Sequence, residues 1–403
     1  MAGTPGGHDI LFARDFPPMD GGISRWMAAI ADRYPPDGLI VSTGGGPLSD
    51  ASISQRVDRI ATPVDRLRTL PGHLAWSRRA IRLASGPAAR FAWCDTIRPA
   101  GYTAHRAYRS TGLPYGIMVV GNDILTLRAK LGRGGLGQRI KRRIMRAVLG
   151  DAAVLVAISE WTAARLRELL IELDLGAAGA RVRVVPLGTD PVRWHADPEA
   201  AAAFRRRRSL PAGRWLVTVA RLVDYKGIDT AILLLAALAP EFPELQYAVI
   251  GSGPDEARLL ALAASAGVAD RIHIMTDVTD AELPAAYSMG EVYLGFTRET
   301  ALDVEGFGIS FAEAAACGVP VIATRSGGIP DAVVDGETGL LLAEGDLAGM
   351  TAALHRLLTD PLEARRMGTA GRARVERYLN WDRVVREMRE MAAELGRPAP
   401  PSS

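Results

Sequence analysis

Two glutamates, Glu305 and Glu313, are separated by seven residues in the segment EGFGISFAE. Gly306 and Gly308 let the backbone approach a ligand closely, and they expose N–H groups at the start of the helix predicted to follow, where phosphate is favoured. A helix that begins near Gly308 places Glu313 about a turn and a half along it. Carboxylates around a phosphate-binding helix start suit a molecule with hydroxyls on both sides of a diphosphate, such as a nucleotide sugar. The alternative is an amphipathic helix with an acidic first turn.

Two cations earlier in the chain have a placement that suits phosphate. Arg221 and Lys226 follow the apolar run Trp215–Ala220, which predicts a strand. Ligands of open α/β sheets bind at the carboxyl ends of strands, so a diphosphate is expected near these side chains. Arginine can grip two phosphate oxygens at once, and lysine adds a compact charge. Without that context, both residues are ordinary solvated surface charges.

Short apolar runs alternate with helix-length segments along the whole chain. In the first half, strands are predicted at Ile10–Ala13, Leu39–Ser42, Phe91–Cys94, Tyr115–Val120, Val154–Ile158 and Val182–Val185. In the second half, they are predicted at Trp215–Ala220, Gln246–Ile250, Ile272–Met275, Val292–Leu294, Val319–Ala323 and Gly339–Leu342. Strands that are apolar on both faces and separated by helices are typical of parallel sheets covered on both sides. With 403 residues, the chain is predicted to repeat this doubly wound α/β arrangement in two domains.

Several segments together resemble glycosyltransferase family 4. The resemblance is carried by 305–323, Ala220–Val223 with Lys226–Asp229, Gly251–Pro254, Gly327–Asp331, Asp335–Leu340 and, near the start, Pro17–Ile23. It covers the second half almost throughout and the first half only at landmarks. It implies the GT-B fold, in which two Rossmann-like domains face each other across a cleft, and a retaining transfer from a nucleotide sugar.

The predicted domain boundary lies between Pro186 and Pro211, where Gly188, several prolines and the run Arg205–Arg208 interrupt the alternation of strands and helices. Residues 1–187 are expected to form an N-terminal Rossmann-like acceptor-binding domain, 188–211 a linker, and 212–380 a C-terminal Rossmann-like domain that binds the nucleotide sugar. Residues 381–397 are expected to form a helix that packs back on the first domain, and 398–403 a disordered Pro/Ser tail. The sequence identifies neither the acceptor nor the base and sugar of the donor.

Carried over position by position, the resemblance assigns the donor site. Arg221 and Lys226 hold the diphosphate, and Glu305 binds the donor sugar near its 3-hydroxyl. Glu313 binds the ribose diol. The remaining donor-binding positions are Gly21 and Gly22 of the first domain, Gly306 and the N–H groups of Phe307, Gly308 and Ile309, and Gly253 and Val278 beside the nucleobase.

The implied mechanism uses no carboxylate nucleophile. Retaining glycosidases use one, but the family offers none on the reacting face of the sugar, so the departing diphosphate takes the acceptor's proton during front-face substitution. Glu305, Arg221 and Lys226 are the predicted catalytic residues, the two cations by stabilising charge on the leaving group. No metal or cofactor is expected, since the scheme needs neither and the sequence has no Asp-x-Asp motif.

One expected residue is missing from the first domain. Val120 stands where many family members have the histidine of a His-Gly-x-Asp motif, so Asn122 or Asp123 is predicted to orient the sugar instead. Both can equally cap a turn or helix. His105, on a predicted helix, is interpreted as structural. The gap leaves two alternatives open: a nucleotide-sugar-binding protein impaired in catalysis, or another GT-B enzyme such as an epimerase.

Charge and composition limit the partners. The net charge of +3 is too small to predict nucleic-acid binding, and two cysteines with no predicted signal peptide favour a reducing cytoplasm. From Ile124 to Gly150 there are eight Lys or Arg and no Asp or Glu. A basic amphipathic helix over 138–149 predicts peripheral contact with the inner face of a membrane. The alternatives are a helix whose apolar face, from Ile140 to Leu149, packs on the sheet, or a surface that attracts a phosphorylated acceptor.

Overall fold

The computed structural model describes residues 7–17, 19, 21–45, 53–130 and 135–398, so almost all of the predicted tail at 398–403 lies outside the described residues. The chain forms two compact units. The first runs to Val185 and resumes at Trp381, and the second is Pro186–Asn380. Each unit has its own parallel sheet and its own core.

The strands are numbered in chain order. They are β1 His8–Phe12, β2 Leu39–Gly45, β3 Arg56–Pro63, β4 Ala89–Cys94, β5 Tyr115–Val119, β6 Val154–Ala157, β7 Val182–Val184, β8 Arg214–Val219, β9 Leu245–Ile250, β10 Ile272–Met275, β11 Val292–Gly295, β12 Val321–Thr324 and β13 Gly339–Leu342. Every strand predicted from the sequence is confirmed, with ends shifted by up to three residues. β3 was not predicted.

The α-helices connect these strands. They are α1 Gly22–Arg33, α2 Leu70–Ala84, α3 Tyr102–Thr111, α4 Gly121–Lys130, α5 Leu136–Gly150, α6 Glu160–Glu172, α7 Pro198–Arg207, α8 Ile228–Leu238, α9 Glu256–Ser265, α10 Leu283–Ser288, α11 Ile309–Ala316, α12 Ile329–Ala332, α13 Leu347–Thr359, α14 Pro361–Arg377 and α15 Trp381–Leu395. The predicted linker 188–211 lies within the second unit and contains α7.

Both sheets have the strand order of a doubly wound fold. The first is β3-β2-β1-β4-β5-β6-β7 and the second is β10-β9-β8-β11-β12-β13. In each, the strand order reverses beside the first strand, between β1 and β4 and between β8 and β11. Ligands of such sheets bind outside the carboxyl ends of the strands at that reversal. The fold therefore marks one candidate binding edge in each unit.

Each sheet is covered on both faces, so apolar side chains from both faces of its strands form the core of the unit. All side chains of β5, β6 and β9 are buried. The first core includes Trp76 and Tyr115, and the second includes Tyr247, all fully buried. β3 differs because it is an edge strand, with alternating exposure and a terminal proline. Its charged residues hid it from a search for apolar runs.

The last helix belongs to the first unit. α15 contacts α1 and β4, and it buries Trp381, Val384, Val385 and Met388. Beyond it, the backbone N–H of Arg397 donates to the carbonyl of Arg90 at 2.9 Å. The chain therefore leaves the first unit after Val185 and returns to it at Trp381.

The structure of the basic helix α5 differs from the alternative in which its whole apolar face packs on the sheet. The apolar residues of 138–149 do not form a single buried face. In α5, Met145, Val148 and Leu149 are buried, but Ile140 and Ile144 are 52% and 42% exposed. The helix therefore packs on the unit through residues of its carboxyl half.

Candidate active site

The central feature of the second unit is an ion pair at the strand-order reversal. Lys226 follows β8 and Glu305 follows β11, the adjacent strands whose connections diverge. Nζ of Lys226 lies 2.5 Å from Oε2 of Glu305, and the two side chains are only 15% and 16% exposed. Two residues predicted to hold neighbouring parts of one ligand thus meet 79 positions apart in sequence.

Burial and charge act in opposite directions on the lysine. Desolvation lowers the pKa of Lys226, but the Glu305 carboxylate and the neighbouring tyrosines outweigh it, so the pKa is raised overall. Nζ also lies 5.2 Å from the centre of the Tyr225 ring. The lysine is therefore a firmly charged donor at neutral pH.

Close backbone packing fixes the Lys226 loop. Gly227 has φ +66°, and a Cβ there would lie 1.8 Å from the carbonyl oxygen of Phe296. The N–H of Arg298 donates to the carbonyl of Tyr225 at 2.7 Å. The loop after β8 is therefore attached directly to the loop after β11, which fixes Lys226 near Glu305.

A turn after β12 holds Glu305 from the other side. The N–H of Gly328 donates to the Glu305 carbonyl at 2.8 Å. Gly327 has φ +53°, and a Cβ there would lie 2.2 Å from that same oxygen. The Gly327–Gly328 pair quoted in the family resemblance thus has a physical reason, since it lets the two loops touch.

The helix start between the two glutamates has the predicted form. α11 begins at Ile309 and is preceded by Gly308 at φ +84°, with Phe307 buried and Gly306 partly exposed. The first turn of a helix leaves backbone N–H groups without acceptors inside the helix, so this end can bind an anion. The predicted helix start near Gly308 is confirmed.

Glu313 has a partner that the sequence did not indicate. The Tyr287 hydroxyl donates to Oε2 of Glu313 at 2.7 Å. Tyr287 also stacks on Tyr293, with ring centroids 5.8 Å apart. Burial and the Glu313 charge raise the pKa of Tyr287 well above its ordinary range, so it stays a neutral donor. Tyr287 lies in the short helix α10, outside every recognisable motif.

The other predicted donor residues of this unit lie around the same strand ends. Arg221 is exposed, and Nη2 is 3.4 Å from the Tyr225 hydroxyl. Val278 is half-buried in the loop after β10. A Cβ on Gly253 would lie 2.2 Å from the carbonyl of Leu222, so this glycine is required by loop packing whether or not it borders a base.

The first unit presents a second set of predicted residues at its own strand ends. Gly21 has φ +133° and Gly22 begins α1; a Cβ on either would meet no atom of the described residues within 4 Å. Val120 directly follows β5, and Asp123 lies in the first turn of α4. The backbone of Asn122 shares that turn, but its side chain lies outside the described residues. His105 pairs with Asp151, Nε2 to Oδ2, at 3.0 Å.

Buried carboxyl groups at this edge include one that the sequence analysis missed. Asp95 is fully buried after β4, and burial, with the charge of Asp15, raises its pKa to about 7. Burial likewise raises the pKa of Asp123 to about 6, and its Oδ2 has no hydrogen-bond partner among the described residues. Asp95 follows an apolar run without a motif, so only the fold brings it to this edge.

Metal-binding clusters and membrane-spanning helices are both absent from the described ranges. There, no group of three or more His, Cys, Asp or Glu residues is arranged to hold a metal ion. In the same part of the chain, no helix is long and apolar enough to cross a bilayer. The second unit brings a lysine, a helix start and two carboxylates together around one strand edge.

Comparison with known proteins gives matches along most of the chain. A family model described as glycosyl transferases group 1 matches residues 203–374. The D-inositol 3-phosphate glycosyltransferase of Acidothermus cellulolyticus is 31% identical over 390 residues, which cover 91% of this chain and 84% of that protein. The matched part of the second unit contains Lys226, Glu305 and Glu313.

Two further relatives share one description, GDP-mannose-dependent α-(1-6)-phosphatidylinositol monomannoside mannosyltransferase. The Mycobacterium tuberculosis protein is 29% identical over 94% of this chain and 96% of its own length. The Mycolicibacterium smegmatis protein is 37% identical, but over 58% of this chain and 60% of its own length. Among solved structures, Anabaena HepE in complex with UDP has a TM-score of 0.76 at 17% identity, covering 96% of this chain and 100% of that one.

Proposed function

The chain belongs to the group 1 glycosyltransferases, and we propose that it is a retaining, family 4 enzyme that transfers mannose from GDP-mannose to a lipid-linked acceptor. The predicted GT-B fold, two doubly wound parallel-sheet units, is confirmed. The observation that carries the proposed donor site is the Lys226–Glu305 pair at the strand-order reversal. The relatives' names support the donor and the acceptor class.

Donor binding replaces the ion pair with ligand contacts. In the proposal, the diphosphate takes the charge of Lys226, assisted by Arg221 and by the N–H groups of Phe307, Gly308 and Ile309. Glu305, released from the lysine, binds hydroxyls of the sugar. Glu313, already oriented by Tyr287, binds the ribose. Each group then serves one part of a nucleotide sugar.

The chemical step uses charge stabilisation, with no base from the second unit. The acceptor oxygen bonds to the anomeric carbon on the face from which the diphosphate leaves, so the configuration is retained. The C–O bond to the diphosphate breaks, and a phosphate oxygen takes the acceptor's proton. Lys226, Arg221 and the start of α11 stabilise the charge that develops on the leaving group. This scheme requires neither metal nor cofactor.

Substitution of Glu305 tests the site. Glu305→Gln should abolish most transfer while the protein stays folded, because an amide cannot accept the same pair of hydrogen bonds from the sugar. Glu390→Gln, on an exposed residue of α15, is the matched control and should retain full activity. Near-normal turnover in a folded Glu305→Gln protein would remove the residue from the site.

The donor is tested by binding and by product analysis. Thermal shifts with GDP-, UDP-, ADP- and TDP-sugars should favour GDP-mannose; a ligand at 100 times its Kd adds about 2.7 kcal/mol. NMR of the product should show the anomeric configuration of the donor. A larger shift with a UDP-sugar would overturn the choice of base, and an inverted product would overturn the retaining mechanism.

The first unit contributes the sugar-orienting group in our proposal. Asp123 is the candidate, because its Oδ2 is buried and lacks a partner among the described residues. Val120→His restores the histidine that the resemblance leads one to expect, and it should reduce activity if the pocket is shaped around valine. A gain in transfer or hydrolysis would instead indicate a degraded site, which is the prediction of the impaired-binding alternative.

The amino half of α5 is proposed to contact the cytoplasmic face of an anionic membrane, next to the lipid-linked acceptor proposed above. Its exposed face is both apolar and basic: Leu136, Ile140, Ile144, Arg139, Lys141 and Arg143. Such helices bind by apolar burial together with charge. Ile140→Ser with Ile144→Ser should reduce co-sedimentation with anionic vesicles, whereas Ile171→Ser, at an exposed site on α6, should not. Equal sedimentation of all three proteins refutes the contact.

A further inference from the structure

Two helices and one loop of the second unit meet at one carboxylate. Asp229, in the first turn of α8, receives Nη2 of Arg298 on Oδ1 at 2.6 Å and Nη1 of Arg258 on Oδ2 at 3.2 Å. Arg298 lies in the loop that leads to Glu305. Arg258 lies in α9, which follows the Gly253 loop. Asp229 itself is three residues after Lys226, so one side chain connects three segments of the proposed donor site.

Further contacts strengthen the same junction. Arg298 also donates to the Thr230 hydroxyl at 3.1 Å and to the Asp224 carbonyl at 3.3 Å, and Arg258 pairs with Asp255 at 2.7 Å. The Asp229 side chain is 15% exposed. Burial raises the pKa of Asp229, but Arg298 and Arg258 outweigh it and hold the pKa below its ordinary range. The carboxylate therefore stays charged at neutral pH.

We propose that Asp229, held by Arg298 and Arg258, is a positioning residue that sets Lys226 against Glu305 for the donor diphosphate. The inference rests on the function proposed above. Asp229 fixes the start of α8 to the Glu305 loop, and Gly227, between Lys226 and Asp229, already touches the backbone of that loop. A displacement of the lysine by about 1 Å is enough to cost about 10²-fold in rate.

A purely structural ion network makes a different prediction. It would lower the melting temperature but leave the kinetics of the folded protein unchanged. Arg298→Gln and Asp229→Asn should instead weaken GDP binding and lower kcat by about 10–10²-fold in folded protein. Arg298→Lys should recover part of the loss. Arg356→Gln, which breaks an exposed pair with Glu363 in the same unit, is the control and should leave both constants unchanged.

The deciding experiment combines Arg298→Gln with Lys226→Ala and measures GDP affinity by calorimetry and transfer by turnover. If Arg298 acts through the lysine, its substitution costs much less in the Lys226→Ala protein, because coupled residues are not additive. If the losses of the two single variants add up in the double variant, or if Arg298→Gln binds GDP and turns over normally, the positioning role is wrong, but the proposed donor site still stands. Unchanged GDP affinity in Lys226→Ala overturns the proposed donor site, and the positioning role with it. Should Asp229→Asn fail to fold, Arg298→Gln, at a side chain 28% exposed, decides the question.

Discussion

Breaking the Lys226–Glu305 pair from one side should destabilise the second unit strongly. Lys226→Met leaves the Glu305 carboxylate, 16% exposed, without the ammonium that lies 2.5 Å away. Removing one partner of a buried pair costs about 3–5 kcal/mol. For a unit the size of Pro186–Asn380, that is a fall in Tm on the order of 10 °C.

Removing both charges should restore most of that loss. A protein with Lys226→Met and Glu305→Gln has no unpaired charge, and replacing a whole buried pair is often neutral for stability. Its Tm should lie within a few degrees of wild type, yet it should not transfer sugar. Circular dichroism should follow the thermal unfolding of wild type, Lys226→Met, Glu305→Gln and the double variant, with turnover measured in parallel.

The pH dependence gives a second check on the same pair. The folded pKa of Lys226 is raised, so its contribution to stability is complete below the unfolded value and is lost only as pH rises through the folded value. The Tm deficit of Lys226→Met should therefore be constant between about pH 6 and about pH 9.

The double variant provides the refuting outcome. If its loss of stability equals the sum of the losses in the two single variants, the two residues do not form the pair described.

Other residues give independent tests. Asp95 has a raised folded pKa near 7, so stability falls as pH rises from about 4 to about 7; Asp95→Asn should flatten that slope in thermal melts, and an unchanged slope would exclude Asp95 as its source. Gly227→Ala should fail to accumulate as folded protein, because its Cβ would meet the Phe296 carbonyl; a normal Tm would contradict the packing. Arg221→Ala should lower turnover by about 10²–10³-fold and weaken GDP binding in calorimetry, and wild-type values would remove it from the diphosphate site. Asp123→Ala should impair turnover while leaving GDP affinity unchanged, and wild-type activity would leave the sugar to the second unit alone.

Much of the second unit could be predicted because its local patterns agree with its fold. Six apolar runs became the six strands of its sheet, and α11 begins directly after Gly308, where the sequence predicted a helix start. Lys226 and Glu305 were both selected by position after a strand. Their direct pairing was not predicted, because spacing along a chain does not say which strands are neighbours.

The first unit was less predictable for identifiable reasons. β3 is a charged edge strand, so apolarity did not reveal it. Asp95 is a single carboxylate, and its pKa is raised because the fold buries it. No local sequence pattern indicates that burial. In α5, helical periodicity correctly marked the apolar residues, but only tertiary contacts decide that Met145 is covered while Ile140 is not.

The return of the chain to the first unit at Trp381 has a consequence for biosynthesis. The ribosome delivers α15 long after α1 and β4, although the buried side chains of α15 contact both. Since domains generally fold as units during translation, the second unit can finish folding while the first still exposes the apolar surface that α15 will cover. The first unit therefore cannot bury that surface until α15 has been synthesised.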